Sequence, residues 1–246
     1  MTTTAAIALD GLLNFRDLGG LPTKRGTIRP GVIYRSESLS DLTDQGWHDL
    51  ARSGISTVID LRSAAESARA PGLDAGSVSP RLLAIPMLDG AIPTSFADMR
   101  PLSELYDSLV RGHGGDFARI AGTIADADDP VLIHCTAGKD RTGLAVAIVL
   151  FAVGASWDAV RADYSTSGKN LSGEWADRTL LKITQMGLDI PDNHKIRAML
   201  HGTTETGFDA SFEWINSEFG SVTEYLTHHG LTDGQLTRLQ QRLVVH

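Results

Sequence analysis

The chain has 246 residues, a formal net charge of −8 and an apolar content of 42%. That length fits one α/β domain, with or without an appendage, and the apolar content is enough for a sizeable core. The acidic balance excludes a general affinity for nucleic acid or anionic membranes, because both need a basic surface. If the ligand is an anion, its positive field must be local to the site.

The sequence shows no targeting or membrane segment. The N-terminus lacks the basic start and long apolar stretch of a secretory signal. The longest strongly apolar run, Leu144 to Val153, is about half the length needed to cross a bilayer. A single cysteine cannot form an internal disulfide and suits a reducing compartment. We expect a cytoplasmic protein without stable membrane anchoring, although export by a route without a readable signal stays open.

In chain order, four short apolar runs bounded by turn formers predict buried strands, at residues 31–35, 57–61, 82–86 and 131–135. Helical patterns lie between them. One covers residues 44–53, with Thr43 as the N-cap and Gly54 as the stop, and another covers roughly residues 102–126. Strands that alternate with helices predict an α/β fold, in which a mostly parallel sheet is flanked by helices.

Beyond Arg141 the sequence predicts almost only helix, at residues 142–153, 157–164, 172–186, 192–200, 208–219, 222–228 and 233–243. This C-terminal half is expected to form a helical layer on the sheet. Residues 168–207 mix glycine, proline and amphipathic stretches, which fits either a helical lid over a site or a permanently packed layer. No linker divides the chain, so we predict a single domain over residues 1–246.

Residues 134–143 read HCTAGKDRTG and stand between the clearest strand and an apolar helix. At such a junction the backbone N–H groups are unpaired and the helix dipole is positive, so the site suits an anion. A phosphate of charge near −2 is predicted to lie in the loop, against Thr136, Ala137, Gly138, Lys139, Thr142 and Gly143.

Two side chains of this loop have the properties of reacting groups. Cys135 is expected to be a thiolate nucleophile, because the dipole, the loop amides and a nearby cation all favour the charged form. Arg141 supplies a planar fork that pairs with two phosphate oxygens, and Thr142 can donate its hydroxyl to the sulfur. A lone cysteine is usually a small core residue, but the complete string outweighs that interpretation.

His134 could act as a metal ligand or a general base. No second cluster of metal ligands accompanies it, so we predict no metal and a packed ring that holds the loop through a hydrogen bond.

The string resembles the signature of the protein tyrosine phosphatase superfamily, His-Cys-x5-Arg-Ser/Thr. Further blocks narrow the resemblance to a bacterial branch with dual or triple specificity: residues 14–20 (NFRDLGG), 29–36 (RPGVIYRS), 60–63 (DLRS), 162–164 (ADY) and the helix after Leu231. The resemblance implies a phosphatase-type fold with a helical lid. It also implies activity on phosphotyrosine that often extends to phosphoserine, phosphothreonine and phosphoinositides, so the expected partner is a phosphorylated protein or a phosphoinositide. No cofactor is expected, because Arg141 and the loop amides supply the electrostatic stabilisation.

The leaving group needs a proton, and the Trp-Pro-Asp acid loop of the large tyrosine phosphatases is absent. Asp140, whose counterpart the resemblance implies as the general acid, is the leading candidate. Asp89 is the runner-up, although an aspartate before Gly90 is also typical of a turn. Asp158 is better explained as a first-turn helix acid. Lys139 adds a cation that a multiply phosphorylated head group would use, unless it is merely solvated.

Charged residues near the predicted strand ends form an outer group. Asp60 and Arg62 end a strand at the expected active-site edge, where we place them behind the loop. Asp60 could instead accept hydrogen bonds from the loop amides. Arg16 and Arg35 fit either a structural ion pair or the wall of the site.

Three other functions are weighed. A rhodanese-like sulfurtransferase also uses a strand-end cysteine, but its loop is usually shorter and lacks Arg-Thr-Gly. A catalytically silent phosphate-binding module is the second, although every expected loop residue is present. A cysteine protease is disfavoured, because His134 is a sequence neighbour of the thiol rather than a partner across the fold. The physiological substrate and oligomeric state are not indicated.

Overall fold

Two sheets organise the structure, a computed structural model that describes residues 8–72, 80–88, 101–185, 202 and 205–246. Within these ranges the strands are β1 (Arg16–Asp17), β2 (Pro22–Thr23), β3 (Gly26–Ile28), β4 (Ile33–Ser36), β5 (Thr57–Asp60), β6 (Arg81–Ala84), β7 (Val131–His134) and β8 (Val244–Val245). The central sheet has the order β1-β4-β7-β5-β6, parallel except at β1. The predicted mostly parallel sheet is confirmed, and its four predicted strands end within two residues of the expected positions. Strands β4, β5 and β7 are buried as expected, whereas β6 at the sheet edge is partly exposed.

Ten helices of the described residues surround this sheet. They are α1 (Asp44–Arg52), α2 (Ala64–Arg69), α3 (Leu102–Gly112), α4 (Gly114–Asp126), α5 (Asp140–Ala152), α6 (Trp157–Leu171), α7 (Glu174–Gln185), α8 (Glu205–Phe219), α9 (Val222–His228) and α10 (Asp233–Leu243). A short 3₁₀ turn spans Leu39–Asp41. None of these helices is long and apolar enough to span a membrane.

The register of the parallel strands brings their carboxyl ends to one edge. Ser36 and Asp60 both pair with His134, and Asp60 pairs with Ala84 on its other side. Residues that follow these four positions therefore converge, as is usual for ligand sites in α/β sheets.

Alternate side chains of β7 supply two cores, as the period of a strand requires. Val131 and Ile133 pack into the larger core with α3 to α6 and α8 to α10, whereas Leu132 packs into a smaller core under α1. This explains why the central strands read as continuous apolar runs.

A second, antiparallel sheet was not predicted from the sequence. It has the order β2-β3-β8, so the last strand of the chain pairs with β3 near its start. Each of these strands has only two or three residues, which is too short for a hydrophobic period to show. Strand β1 and helix α2 were missed for the same reason.

Two predicted helices have different bounds in the structure. The single helix expected over residues 102–126 is broken at His113, which separates α3 from α4. The break lets Gly114 approach the His229 ring, where a Cβ would lie 2.3 Å from the nearest ring carbon. The helix expected at residues 157–164 continues to Leu171.

The predicted lid, residues 168–207, is partly described. Its first residues end α6, α7 follows, and residues 205–207 begin α8. The helix predicted at residues 192–200 lies outside the described residues.

Candidate active site

The loop after β7 lies at the convergent edge of the sheet. Cys135 follows the last residue of β7 and is only 3% exposed. Residues that follow the two neighbouring strands bind the start of the loop through hydrogen bonds. The Leu61 N–H donates to His134 O (2.9 Å), and the Ser38 N–H donates to Thr136 O (3.0 Å).

The carbonyl groups of the loop are bound from outside. Asn14 Nδ2 donates to Ala137 O (3.0 Å) and Arg35 Nη2 donates to Gly138 O (2.7 Å). Because N–H and C=O point in opposite directions across a trans peptide, the N–H groups of Gly138 and Lys139 face the interior of the loop. The Gly138 N–H donates to no described residue. This arrangement leaves amide donors for an anion.

Arg141 is aligned by a carboxylate that the sequence analysis missed. Its Nη1 and Nη2 atoms donate to the two oxygens of Glu66, at 2.7 and 2.6 Å, while its Nε has no hydrogen-bond partner among the described residues. The Thr136 hydroxyl donates to the same carboxylate at 2.5 Å. Glu66 therefore binds one side of the guanidinium and leaves Nε for a ligand.

Burial would raise the pKa of Glu66, but the hydrogen bonds and charge of Arg141 outweigh it and lower this pKa to about 2. The same carboxylate, after the opposing effect of burial, raises the pKa of Arg141. The pair is ionised at any physiological pH, and Ser63-x-x-Glu66 was the one signal of it in the sequence, as a capping box.

Asp140 begins α5 beside the loop. Its Oδ1 accepts a hydrogen bond from the Tyr106 hydroxyl (2.8 Å), and its Oδ2 lies 3.7 Å from Lys139 Nζ. The Lys139 side chain is only 2% exposed, and its ammonium donates to Gly202 O at 2.6 Å. Lys139 is therefore buried in the structure rather than solvated.

His134, Asp60 and Arg62 form a layer behind the loop. His134 Nδ1 donates to Cys135 O (3.1 Å), and its Nε2 lies 3.8 Å from Asp60 Oδ2. Burial lowers the pKa of His134, so the ring is neutral. The Arg62 guanidinium donates to both oxygens of Asp60 and to the Ser38 hydroxyl. No loop amide donates to Asp60, so the alternative role weighed for it does not occur here.

Burial would raise the pKa of Asp60, but the charges of His134 and Arg62 and the Arg62 hydrogen bonds lower it. Because His134 is neutral, we ascribe this lowering to Arg62.

Arg16 and Arg35 both bind Asp163 of α6, with nitrogen–oxygen distances of 2.6 Å. Burial would raise the pKa of Asp163, but the charges of Arg35 and Arg16 lower it. Burial, helped by the charge of Arg35, lowers the pKa of Arg16 to about 10. Arg35 thus links Asp163 to the loop, because it also donates to Gly138 O. Arg16 binds Asp163 but no loop carbonyl, and it donates to Asn14 Oδ1 (2.6 Å).

The remaining predicted residues occupy different positions. The Thr142 hydroxyl is buried without a partner among the described residues, the cysteine sulfur included. Gly143 leaves room for the Tyr164 ring. Asp158 lies in the first turn of α6, and Asp89 lies outside the described residues. No group of metal ligands occurs in the described part of the chain.

A sequence model described as "Tyrosine phosphatase family" matches residues 7–245, nearly the whole chain. The chain belongs to the tyrosine phosphatase family. A triple specificity protein phosphatase, PtpB of Mycobacterium tuberculosis, is 31% identical over 270 residues, which cover 94% of this chain and 96% of PtpB. A tyrosine-protein phosphatase of Nostoc commune is 29% identical, over 90% of this chain and 78% of that protein.

Among solved structures, that of TpbA from P. aeruginosa is similar at a TM-score of 0.41 and 19% identity, covering 81% of this chain and 98% of TpbA. The resemblance inferred from the motifs is confirmed by the family match. Membership supports a protein-tyrosine phosphatase that acts on a phosphorylated substrate.

Proposed function

We propose that this tyrosine phosphatase cleaves phosphate monoesters through a phosphocysteine intermediate. Cys135 is the nucleophile, Arg141 and the loop amides bind the phosphate, and Asp140 is the general acid. The observation that carries the proposal is the orientation of the loop. Its Ala137 and Gly138 carbonyls are bound from outside by Asn14 and Arg35, so the N–H groups of Gly138 and Lys139 face the interior of the loop.

In the first step the Cys135 thiolate attacks phosphorus. An S–P bond forms while the P–O bond to the leaving group breaks, and the leaving oxygen takes a proton from Asp140. Charge on the transferred group is stabilised by the amides and by Arg141, which Glu66 holds in place. No metal is required for this stabilisation.

In the second step water attacks the phosphocysteine. The Asp140 carboxylate accepts a proton from that water, the S–P bond breaks, and inorganic phosphate and the thiolate are released. By microscopic reversibility the same carboxyl group serves as acid and then as base. Thr142, whose hydroxyl has no hydrogen-bond partner in the described part of the chain, is suited to donate to the departing sulfur.

The substrate range is proposed to extend beyond phosphotyrosine, to phosphoserine, phosphothreonine and phosphoinositides. The triple specificity in the name of the M. tuberculosis relative supports this range. Lys139 supports it too, because its ammonium lies beside the loop, where it donates to Gly202 O and is 3.7 Å from Asp140 Oδ2. A second phosphate carries more negative charge than either of these groups and would attract that cation. The same contact supports the proposed lid, because Gly202 belongs to residues 168–207.

The first test is phosphate release from a phosphotyrosine peptide, a phosphoserine peptide and a phosphoinositide panel, with a chelator present throughout. Wild type is expected to release phosphate. Cys135→Ser is expected to lower kcat by about 10³-fold or more, because the nucleophile is lost. Asp140→Ala is expected to lower it by about 10²-fold or more on phosphotyrosine, because the general acid is lost.

Asp158→Ala is the matched control, since Asp158 is also a first-turn helix acid and lies outside the proposed machinery. It should retain wild-type activity. Full activity of Cys135→Ser would contradict the thiolate mechanism. An inactive wild type that forms thiocyanate from thiosulfate and cyanide would indicate a sulfurtransferase.

A further inference from the structure

Two buried tyrosines from different helices meet next to Asp140. Tyr106 of α3 is 0% exposed and Tyr164 of α6 is 1% exposed. Their hydroxyl oxygens are 2.6 Å apart, and the Tyr106 hydroxyl is 2.8 Å from Asp140 Oδ1. A polar cluster of this kind is costly to bury unless every member is hydrogen-bonded.

The direction of these hydrogen bonds follows from the number of protons available. Tyr106 has one hydroxyl proton, which it donates to Asp140 Oδ1, because a carboxylate oxygen can only accept. Tyr164 must then donate to Tyr106. The chain of donors therefore runs from Tyr164 through Tyr106 and ends on one oxygen of Asp140.

Tyr106 keeps its hydroxyl proton, and packing fixes the position of Tyr164. Burial, and after it the negative charge of Asp140, raises the pKa of Tyr106 well above its usual range, so the phenol stays neutral and keeps its proton to donate. The position of Tyr164 is fixed by packing. Its ring stacks on Phe208 at 4.5 Å, and a Cβ at Gly143 would lie 2.9 Å from the ring.

We propose that Tyr106 is a positioning residue for proton transfer, which reserves Oδ1 of Asp140 as an acceptor and so confines the transferable proton to Oδ2. This inference rests on the proposed role of Asp140 as the general acid. Tyr106 touches neither the phosphate nor the leaving group and acts only through the carboxyl group.

The proposed role affects the first chemical step, in which Asp140 donates its proton. While Asp140 is protonated, its carbonyl oxygen Oδ1 accepts from Tyr106 and the proton resides on Oδ2, the oxygen that faces Lys139. As the P–O bond breaks, that proton passes to the leaving oxygen and a negative charge develops on the carboxylate. The hydrogen bond from Tyr106 then becomes charge-assisted and stronger, so it stabilises the transition state more than the ground state.

The test is Tyr106→Phe, which removes the hydroxyl and keeps the ring, assayed on aryl phosphates of increasing leaving-group basicity. We expect kcat to fall about tenfold or more on the most basic leaving groups, where protonation matters most. On the most acidic leaving groups, which depart without a proton, the change should be under about twofold.

Tyr225→Phe is the matched control. Tyr225 is also 0% exposed, and its hydroxyl donates to Val110 O at 2.7 Å, away from the loop. The substitution therefore deletes an equivalent buried hydrogen bond and should leave the leaving-group dependence unchanged. Tyr164→Phe should show the Tyr106→Phe pattern at a smaller amplitude, and it serves in place of Tyr106→Phe if the latter fails to fold.

A double-mutant comparison separates this inference from the proposal on which it rests. In an Asp140→Ala background, Tyr106→Phe should change kcat by less than about twofold, because its effect passes through the missing carboxyl group. If Asp140→Ala leaves the leaving-group dependence intact, the general acid is wrong. If Asp140→Ala steepens that dependence but Tyr106→Phe does not, or slows all substrates equally in both backgrounds, the positioning role is wrong.

Discussion

At the scale of single residues, the Glu66 side chain binds several groups of this site at once. Its carboxylate accepts from the Ser63 N–H at the start of α2, from the Thr136 hydroxyl, and from two nitrogens of Arg141. A bidentate pair of this kind fixes both the position and the plane of a guanidinium. The orientation of the Arg141 guanidinium, which we propose binds the phosphate, therefore depends on Glu66.

Glu66→Gln is expected to lower kcat/KM about tenfold to a hundredfold, because an amide nitrogen would face the Arg141 nitrogens in place of an acceptor. The range corresponds to about 1.5–3 kcal/mol for a hydrogen bond to a charged group. Steady-state kinetics on a phosphotyrosine peptide measures it.

Asp126→Asn is the control for that substitution. It also changes a carboxylate bound to an arginine, Arg238, but in an exposed pair away from the loop. Its kinetics should match wild type, and equal losses in both variants would contradict the assigned role of Glu66.

The residues that the sequence did not reveal share one property, which is that their partners are distant in the chain. Cys135 and Arg141 could be proposed from the sequence alone because the residues of the loop are neighbours in the chain. Glu66 contacts Arg141, from which it is separated by 75 positions in the sequence. The residues next to Glu66 in the sequence indicate only a helix cap. Tyr106 contacts Asp140 across 34 positions and carries no local signal.

At the scale of elements, the loop depends on how closely it approaches the end of β4. Gly138 has φ +66°, and a Cβ there would lie 2.1 Å from Ser36 O. A side chain at this position would meet both a left-handed backbone and the neighbouring strand. The loop can keep its inward amides only with glycine here.

Gly138→Ala is expected to lower both stability and activity, and Gly54→Ala provides the comparison. Gly54 also has a positive φ, +76°, but nothing lies within 4 Å of its Cβ position. Gly54→Ala should cost about 1 kcal/mol of unfolding free energy and leave kcat/KM unchanged. Gly138→Ala should cost about 2 kcal/mol or more and reduce kcat/KM about tenfold or more.

Urea denaturation and steady-state kinetics give both quantities. Equal effects of the two substitutions would show that the strand contact is unimportant.

Helix boundaries were predicted where the residues that determine them are close in the sequence, and missed where those residues are distant. The α1 helix was predicted almost to the residue, because its Thr43 cap and Gly54 stop act on their own neighbours. The division between α3 and α4 was missed, because Gly114 is placed by the His229 ring, which lies 115 positions further along the chain. The second sheet was missed because its strands have only two or three residues and because β8 pairs with a strand from the start of the chain.

At the scale of the whole molecule, the buried ion pairs make the free energy of unfolding depend on pH. Partners lower the pKa values of Glu66, Asp163 and Asp60, each against the opposing effect of burial. A carboxyl whose pKa is lower in the folded state binds fewer protons there than when unfolded. Its contribution is complete above the unfolded pKa and is lost as the pH falls through the folded pKa. The contribution of Glu37 to the pH dependence has the opposite sign, because burial raises the pKa of its carboxyl group.

The unfolding free energy is expected to fall between pH 4.5 and about 2, the unfolded and folded pKa values of Glu66. That lowering corresponds to about 3 kcal/mol of stability at neutral pH, at about 1.36 kcal/mol for each pKa unit. Urea denaturation at pH 7, 4.5 and 3 measures the fall. Glu66→Gln, which cannot ionise, should lose less stability over this interval, and a loss equal to that of wild type would contradict the assignment.

The chain contains a single cysteine, and this residue lies at the base of the loop. A phosphatase with a second thiol nearby can convert an oxidised sulfur into an intrachain disulfide and later regain activity. The chain has no such resolving thiol, so a sulfenic acid at Cys135 can condense with a backbone nitrogen to a sulfenamide, react with an external thiol, or proceed to irreversible forms. Both reversible forms need an external thiol to return to the free cysteine. Its recovery after oxidative stress is therefore set by the thiol pool of its surroundings.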